Sequence, residues 1–150
     1  MTERYRPNTT VAWVVKSPEG FLFVEEHKRG QVLFNQPAGH IEADETIIEA
    51  AKRELYEETS LRSDPAGLVG IYQFPSNDNS VIYVRFCFYV ELDAAPQLHP
   101  IDPDITACHW LTLEQLDRKL LRSPYVKQCL VDYMQGQRYP LSILTCSLIN

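Results

Sequence analysis

Glu54, Glu57 and Glu58 stand at i, i+3 and i+4 within Ile47 to Thr59, a stretch without Gly or Pro that is rich in Ala, Glu, Leu, Lys and Arg. On a helix, positions so spaced share one face, and Ile47, Ala50 and Ala51 point to the same side. The water-facing side of such a helix lies elsewhere, at Glu49, Lys52 and Tyr56. Three carboxylates bordering a packed face repel one another, by about a few tenths of a kcal/mol per pair when exposed and more when desolvated. That arrangement calls for a cation. Hard oxygen ligands on one rigid helix suit Mg²⁺ or Mn²⁺, and Mg²⁺ commonly uses a few carboxylates together with substrate phosphates. Small Ala50 and Ala51 beside the acids leave room for a loop or a substrate to come close.

The surrounding segment, Gly39 to Leu61, carries seven acids (Glu42, Asp44, Glu45, Glu49, Glu54, Glu57, Glu58) against Lys52 and Arg53, and so holds −5 of the chain's net −6. Arg53 sits on the flank of the acidic face and has two possible partners. It can pair with Glu57 one turn on, as an ordinary surface pair worth about 0.3 to 0.5 kcal/mol. Alternatively it can fork onto Glu45 in the preceding loop and pin that loop to the helix.

The elements that must hold this helix in place are legible on either side of it. Thr9 to Lys16 and Phe21 to Glu26 are β-branched and aromatic, and Ser17-Pro18-Glu19-Gly20 between them has turn chemistry, which predicts a hairpin. Val32 to Asn35 is a short extended piece stopped by Pro37. Thr46-Ile47-Ile48-Glu49 offers a capping box at the start of the acidic helix. Leu68 to Phe74 and Val81 to Leu92 predict a second hairpin across an Asn- and Ser-rich turn, and Ile105 to Leu111 a further strand. Thr112 to Gln115 opens a short helix with another capping box. Ser123 as N-cap, Pro124 at the first position and Gly136 as the stop mark a last helix. Strands and helices interleave without strict alternation, which points to an α/β architecture with a mixed sheet and helices on both faces.

Composition narrows the functional classes. At 150 residues, 45% hydrophobic and 23% charged, the chain fits one domain spanning 1–150. A net charge of −6 argues against a nucleic-acid polymer as partner, since counterion release needs a basic face. A small anionic substrate stays possible if a cation bridges it. The four cysteines stand alone, with no C-x-x-C pair, which removes zinc-ribbon and thioredoxin-like readings and fits a reducing compartment. Met1 to Thr10 lacks a signal-peptide core, and no apolar run approaches the ~18 residues of a membrane helix. The expectation is a cytoplasmic protein with no membrane association and no obligate protein partner.

Gly39, five residues, Glu45, seven residues, Arg53-Glu54-Leu55, one residue, Glu57-Glu58, one residue, Ser60-Leu61 closely resembles the Nudix box, G-x5-E-x7-R-E-U-x-E-E-x-G-U with U aliphatic. Ser60 is the single departure among the fixed positions, standing where the family has Gly. The family uses Gly there because a helix end often needs positive φ, which costs a residue with a Cβ roughly 1 kcal/mol. No side-chain chemistry is lost by the exchange.

The resemblance implies a Nudix-type α/β/α sandwich and an Mg²⁺-dependent hydrolase, with Mn²⁺ as substitute, that cleaves a phosphoanhydride in a small phosphorylated substrate. By match to the box, Glu54, Glu57 and Glu58 hold the metal with the backbone carbonyl of Ala38, while Glu45 and Arg53 form an orienting pair. Glu54 and Asp104 are the two candidates for the general base; the ordinary alternative for Asp104 is a loop cap. Arg85, an unusual charge in the apolar run VIYVRFCFYV, is a candidate phosphate ligand, the alternative being an outward strand position; His40 is either a phosphate contact or a turn histidine satisfied by backbone, and Arg6, Lys28 and Arg29 are weaker substrate-binding candidates, ordinarily solvated. Trp13, Phe34, Phe74 and Tyr83 could stack on a ring, although strand aromatics usually belong to a core. Asn35 to Thr46, Leu121 to Pro124 and Gly136 to Leu141 are similar to a phosphatase branch of the family. That similarity implies removal of terminal phosphate from nucleoside tri- and diphosphates and from the hydroxymethylpyrimidine pyrophosphate of thiamine synthesis. The alternatives are a pyrophosphohydrolase of dinucleoside polyphosphates, ADP-ribose or nucleoside triphosphates, and a Nudix-fold module that senses a nucleotide without cleaving it.

Overall fold

The computed structural model describes residues 2–148. Its strands are β1 (Asn8–Ser17), β2 (Gly20–Lys28), β3 (Gln31–Asn35), β4 (Ala38–His40), β5 (Gly67–Pro75), β6 (Ile82–Glu91) and β7 (Ala107–Leu111). The helices are α1 (Ile47–Thr59), α2 (Leu113–Leu116) and α3 (Pro124–Met134), followed by a 3₁₀ turn at Leu141–Ile143. All strands join one mixed sheet ordered β3-β2-β1-β6-β5, with β4 paired to β1 and β7 to β2.

The predicted hairpin of β1 and β2 is real but short. Only Lys16 and Ser17 pair with Phe21 and Gly20, after which the two strands part. β1 then runs parallel to β6 from Asn8 to Lys16, and its other edge is taken by β4 at Thr10 to Ala12. β4 has no strand pattern of its own; the edge left open by the departing β2 makes it a strand. The second hairpin, β5 with β6, is antiparallel as predicted, and β7 begins two residues later than the sequence reading because Ile105 closes a turn onto Asp102.

Period-two alternation along β1 sends its side chains into two cores. Val11, Trp13 and Val15 pack with Ala50, Ala51 and Leu55 of α1, while Ala12 and Val14 pack with Val126, Cys129 and Leu130 of α3. Both faces of the sheet are therefore covered, and α1 and α3 lie on opposite sides of it. Trp13 and Phe34 belong to these cores, and the Trp13 indole donates to the Ala51 carbonyl at 2.7 Å, so neither is free to stack on a ligand.

Candidate active site

α1 starts where Thr46 caps it, the hydroxyl accepting from the Glu49 amide at 3.1 Å. It ends at Ser60, whose φ of 65° is the left-handed conformation that favours glycine. The Ser60 hydroxyl is used there, donating to the carbonyl of His99, while the His99, Ile101 and Asp102 amides donate to carbonyls of Thr59 and Glu57. The loop before β7 is thereby fixed to the C-terminal turn of α1, whose carbonyls would otherwise lack partners.

At its other side α1 meets β4. A Cβ on Gly39 would stand 2.1 Å from the Glu54 carboxyl carbon, so only glycine lets that carboxylate lie against the strand. Beside it, the Ala38 amide donates to Glu58 at 2.8 Å.

Arg53 makes both contacts left open by the sequence. It grips Glu45 through Nε and Nη2 at 2.8 and 2.7 Å and reaches Glu54 at 2.8 Å and Glu57 at 3.2 Å, and it also donates to the His40 carbonyl at 2.9 Å. Glu45 in turn accepts from the Glu42 amide at 2.7 Å. Hydrogen bonding to Arg53 holds the Glu45 carboxyl below its ordinary range.

Glu58 is 4% exposed, and burial lifts its pKa to about 9 against the Ala38 hydrogen bond, with Glu54, Glu26 and Asp102 adding repulsion. Burial also raises Glu54, more than Arg53 lowers it. Two desolvated carboxylates that repel each other favour uptake of positive charge, whether proton or metal. Among the described residues no three acid, His or Cys side chains converge at ligand spacing. Arg53 engages Glu54, and the Ala38 amide engages Glu58. The donor set nevertheless fits a hard cation, because Mg²⁺ needs only one or two carboxylates when substrate phosphates and water complete its shell.

These groups open onto a cavity of about 580 Å³ that Glu54, Glu58, Ala38, His40, Arg85 and Asp104 all line. Glu57 is not among its lining residues; its half-exposed carboxylate meets Arg53 instead. Arg6 is exposed in the segment ahead of β1 and is not among the residues that line the cavity. Lys28, Arg29, Phe74 and Tyr83 do line it.

Sequence reasoning missed three charged residues that the fold adds. Glu26 is buried in β2 and paired with Arg122 at 2.5 Å, and Asp102 faces Glu54 and Glu58 from the loop tied to α1. Alternation along β2, which places Glu26 on the side of Leu22 and Val24, was the available signal for the first. Asp102 also accepts from the Asp104 amide at 2.9 Å, so the two loop acids form one turn.

A NUDIX domain model matches residues 5–129. Phosphatase NudJ of Escherichia coli strain K12 is 43% identical over 141 residues, covering 93% of this chain and 92% of that one. The structure of a NUDIX hydrolase from Nitrosomonas europaea superposes with a TM-score of 0.86 at 39% identity, covering 95% of this chain and 98% of that one. A bifunctional NMN adenylyltransferase/ADP ribose pyrophosphatase from Francisella tularensis, complexed with AMP and Mn ion, shares the fold at 21% identity and a TM-score of 0.73, over 90% of this chain and 44% of that one. By the domain match over residues 5–129, the identity to Phosphatase NudJ and the superposition on the Nitrosomonas europaea structure, the chain belongs to the Nudix hydrolases.

Proposed function

We propose that this hydrolase is a phosphatase that, in the cytoplasm, removes the terminal phosphate from nucleoside di- or triphosphates or from hydroxymethylpyrimidine pyrophosphate, with Mg²⁺ or Mn²⁺ as cofactor. The observation that carries the chemistry is the pair of desolvated carboxylates, Glu54 and Glu58, on a cavity that the cations Lys28, Arg29, Arg85 and Arg122 also line. Similarity to Phosphatase NudJ along nearly the whole chain supports terminal attack. The cysteines are free thiols, which fits a reducing compartment.

In this reading Glu54, Glu57 and Glu58, with the Ala38 carbonyl, would hold the cation. When bound, the cation supplies charge neutralisation on the phosphoryl oxygens and Lewis-acid activation of water. The residues of the chain do the rest. Arg53, gripped by Glu45, fixes Glu54 against Gly39. Glu54 or Asp104 takes the proton as the water oxygen bonds to the terminal phosphorus, and the bond to the bridging oxygen breaks, leaving its electron pair on the product. Both line the cavity, Glu54 from α1 and Asp104, exposed, from the loop turn.

Hydrolysis of GTP and GDP in ¹⁸O-labelled water, after a phosphate-release screen of the candidate substrates, tests the reading. Label in orthophosphate and none in the nucleotide is the expected result. Label in GMP with pyrophosphate released from GTP would put attack at the α-phosphorus and make the protein a pyrophosphohydrolase.

A further inference from the structure

Arg85 is 8% exposed, and its Nε and Nη1 have no hydrogen-bond partner. Among the described residues no carboxylate forms an ion pair with it within 4 Å, and a second cation, Arg122, adds repulsion. A buried guanidinium left this way is costly, and an entering anion is what recovers the cost. Its neighbour across the parallel ladder is Thr10, whose hydroxyl is also buried and unpartnered. Thr10 is in turn paired with His40 of β4 on its other edge. Two residues further along, Ala12 and Cys87 lie in the core beneath α3, which places Thr10 and Arg85 on the α3 face of the sheet.

Glu54 and Glu58 approach the same cavity from the α1 side, at Gly39 and Ala38 of β4. β6 is two strand spacings from β4, about 9.5 Å. The carboxylates and Arg85 therefore enter the cavity from opposite sides of β1 and can engage different phosphates of one substrate. Next to Arg85 stand aromatic rings. Phe74 lies 5.0 Å from its guanidinium, stacks on Tyr125 at 4.2 Å and is 5.6 Å from Tyr83. A planar group attached to the phosphate at Arg85 would meet these rings.

We propose that Arg85 and Thr10 form the subsite for the phosphate that stays on the product, holding it so that the terminal phosphorus lies at Glu54 and Glu58. The assignment rests on the phosphatase reading and deepens it: the end of the substrate that is held determines the end that is cut. Donors suit this role, since the guanidinium N–H groups and the threonine hydroxyl can all donate to one phosphate.

The test is binding without turnover. AMP, GMP, CMP and UMP, and the four nucleosides lacking phosphate, are titrated by calorimetry into the metal-free protein and its Arg85→Gln and Arg85→Lys variants. Arg85→Gln should weaken the best-bound monophosphate roughly 10- to 100-fold and leave the nucleosides unchanged. Arg85→Lys, which keeps the charge without the planar fork, should fall between. Arg85→Gln should melt at or above the wild type, because an uncompensated buried charge has gone. Equal loss of nucleoside and monophosphate binding would mean that Arg85 reads the ring, and would overturn the proposal. So would unchanged monophosphate binding, no measurable binding to the wild type at millimolar concentration, or a variant melting far below wild type with Arg85→Lys restoring only the fold. None of these readouts depends on which phosphorus is attacked, so a failure here is distinct from label appearing in GMP.

Discussion

Arg53 and Arg85 both border this site, and their surroundings are opposites. Arg53 touches Glu42, Glu45, Glu54 and Glu57 and a backbone carbonyl. Arg85, more deeply buried, touches no acid among the described residues and leaves two nitrogens unpartnered. One is a finished piece of architecture, with every donor answered from within the chain. The other is an open valence of the fold. A saturated ion-pair network fixes geometry, whereas an unanswered charge marks the place of something that arrives. The carboxylates divide in the same way: Glu45 is satisfied by Arg53, while Glu58 is buried among other acids.

The comparison breaks first at Glu58. If its charge serves a cation more than the fold, Glu58→Gln should lower kcat roughly 100-fold or more while the metal-free protein folds at least as well as wild type. Glu57→Gln should move in the same direction, and wild-type turnover by that variant at saturating Mg²⁺ would remove Glu57 from the metal set.

The network around Arg53 can be sharpened by a double-mutant cycle. Glu45→Gln and Arg53→Gln each strand the partner's charge, so the second removal should cost little. We expect a coupling of roughly 1 kcal/mol or more in thermal or denaturant unfolding. Strict additivity would mean that the fork seen at 2.7 and 2.8 Å is not maintained in solution.

The smallest effect is the pH dependence of the metal-free protein. The Glu58 pKa is about 9 in the folded chain and 4.5 ordinarily, so between these values the folded state keeps a proton that the unfolded state has lost. Stability therefore falls as pH rises through this window, and Glu54 adds to the slope with the same sign. Glu58→Gln should raise the apo melting temperature at pH 8.5 by about 2 to 4 °C and leave it nearly unchanged near pH 4.5, measured by calorimetry.

Much of this was legible in the chain. α1 runs from Ile47 to Thr59, the span its composition and cap indicate, because local propensity, cap and amphipathic spacing agree there. The strands carry their own alternation, but alternation does not name a partner. Nothing in Thr9 to Lys16 says that its longest pairing is parallel to β6, or that three residues at Ala38 would become a strand. The site was legible where it lies on one helix and obscure where it is assembled from distant pieces. Glu54, Glu58 and Arg53 follow from spacing, and the loop brings Asp104 to the cavity. Asp102 and the pair of Glu26 with Arg122 enter only through tertiary contact. Arg6, a cation in a polar leader, carries no local signal that would separate a ligand from a solvated charge, and the fold leaves it outside.

Ser60 has a consequence for how the site holds together. A glycine at this helix end would relax the backbone and contribute nothing else. The serine accepts a strained φ and returns a hydroxyl that moors the following loop at His99. With the amides of residues 99, 101 and 102 on the same helix end, the strap bearing Asp102 and Asp104 and the helix bearing Glu54 and Glu58 become one rigid jaw. The rest of the cavity lining then comes from outside that jaw, in part from the β2–β3 and β5–β6 turns through Lys28, Arg29, Asn77 and Asp78.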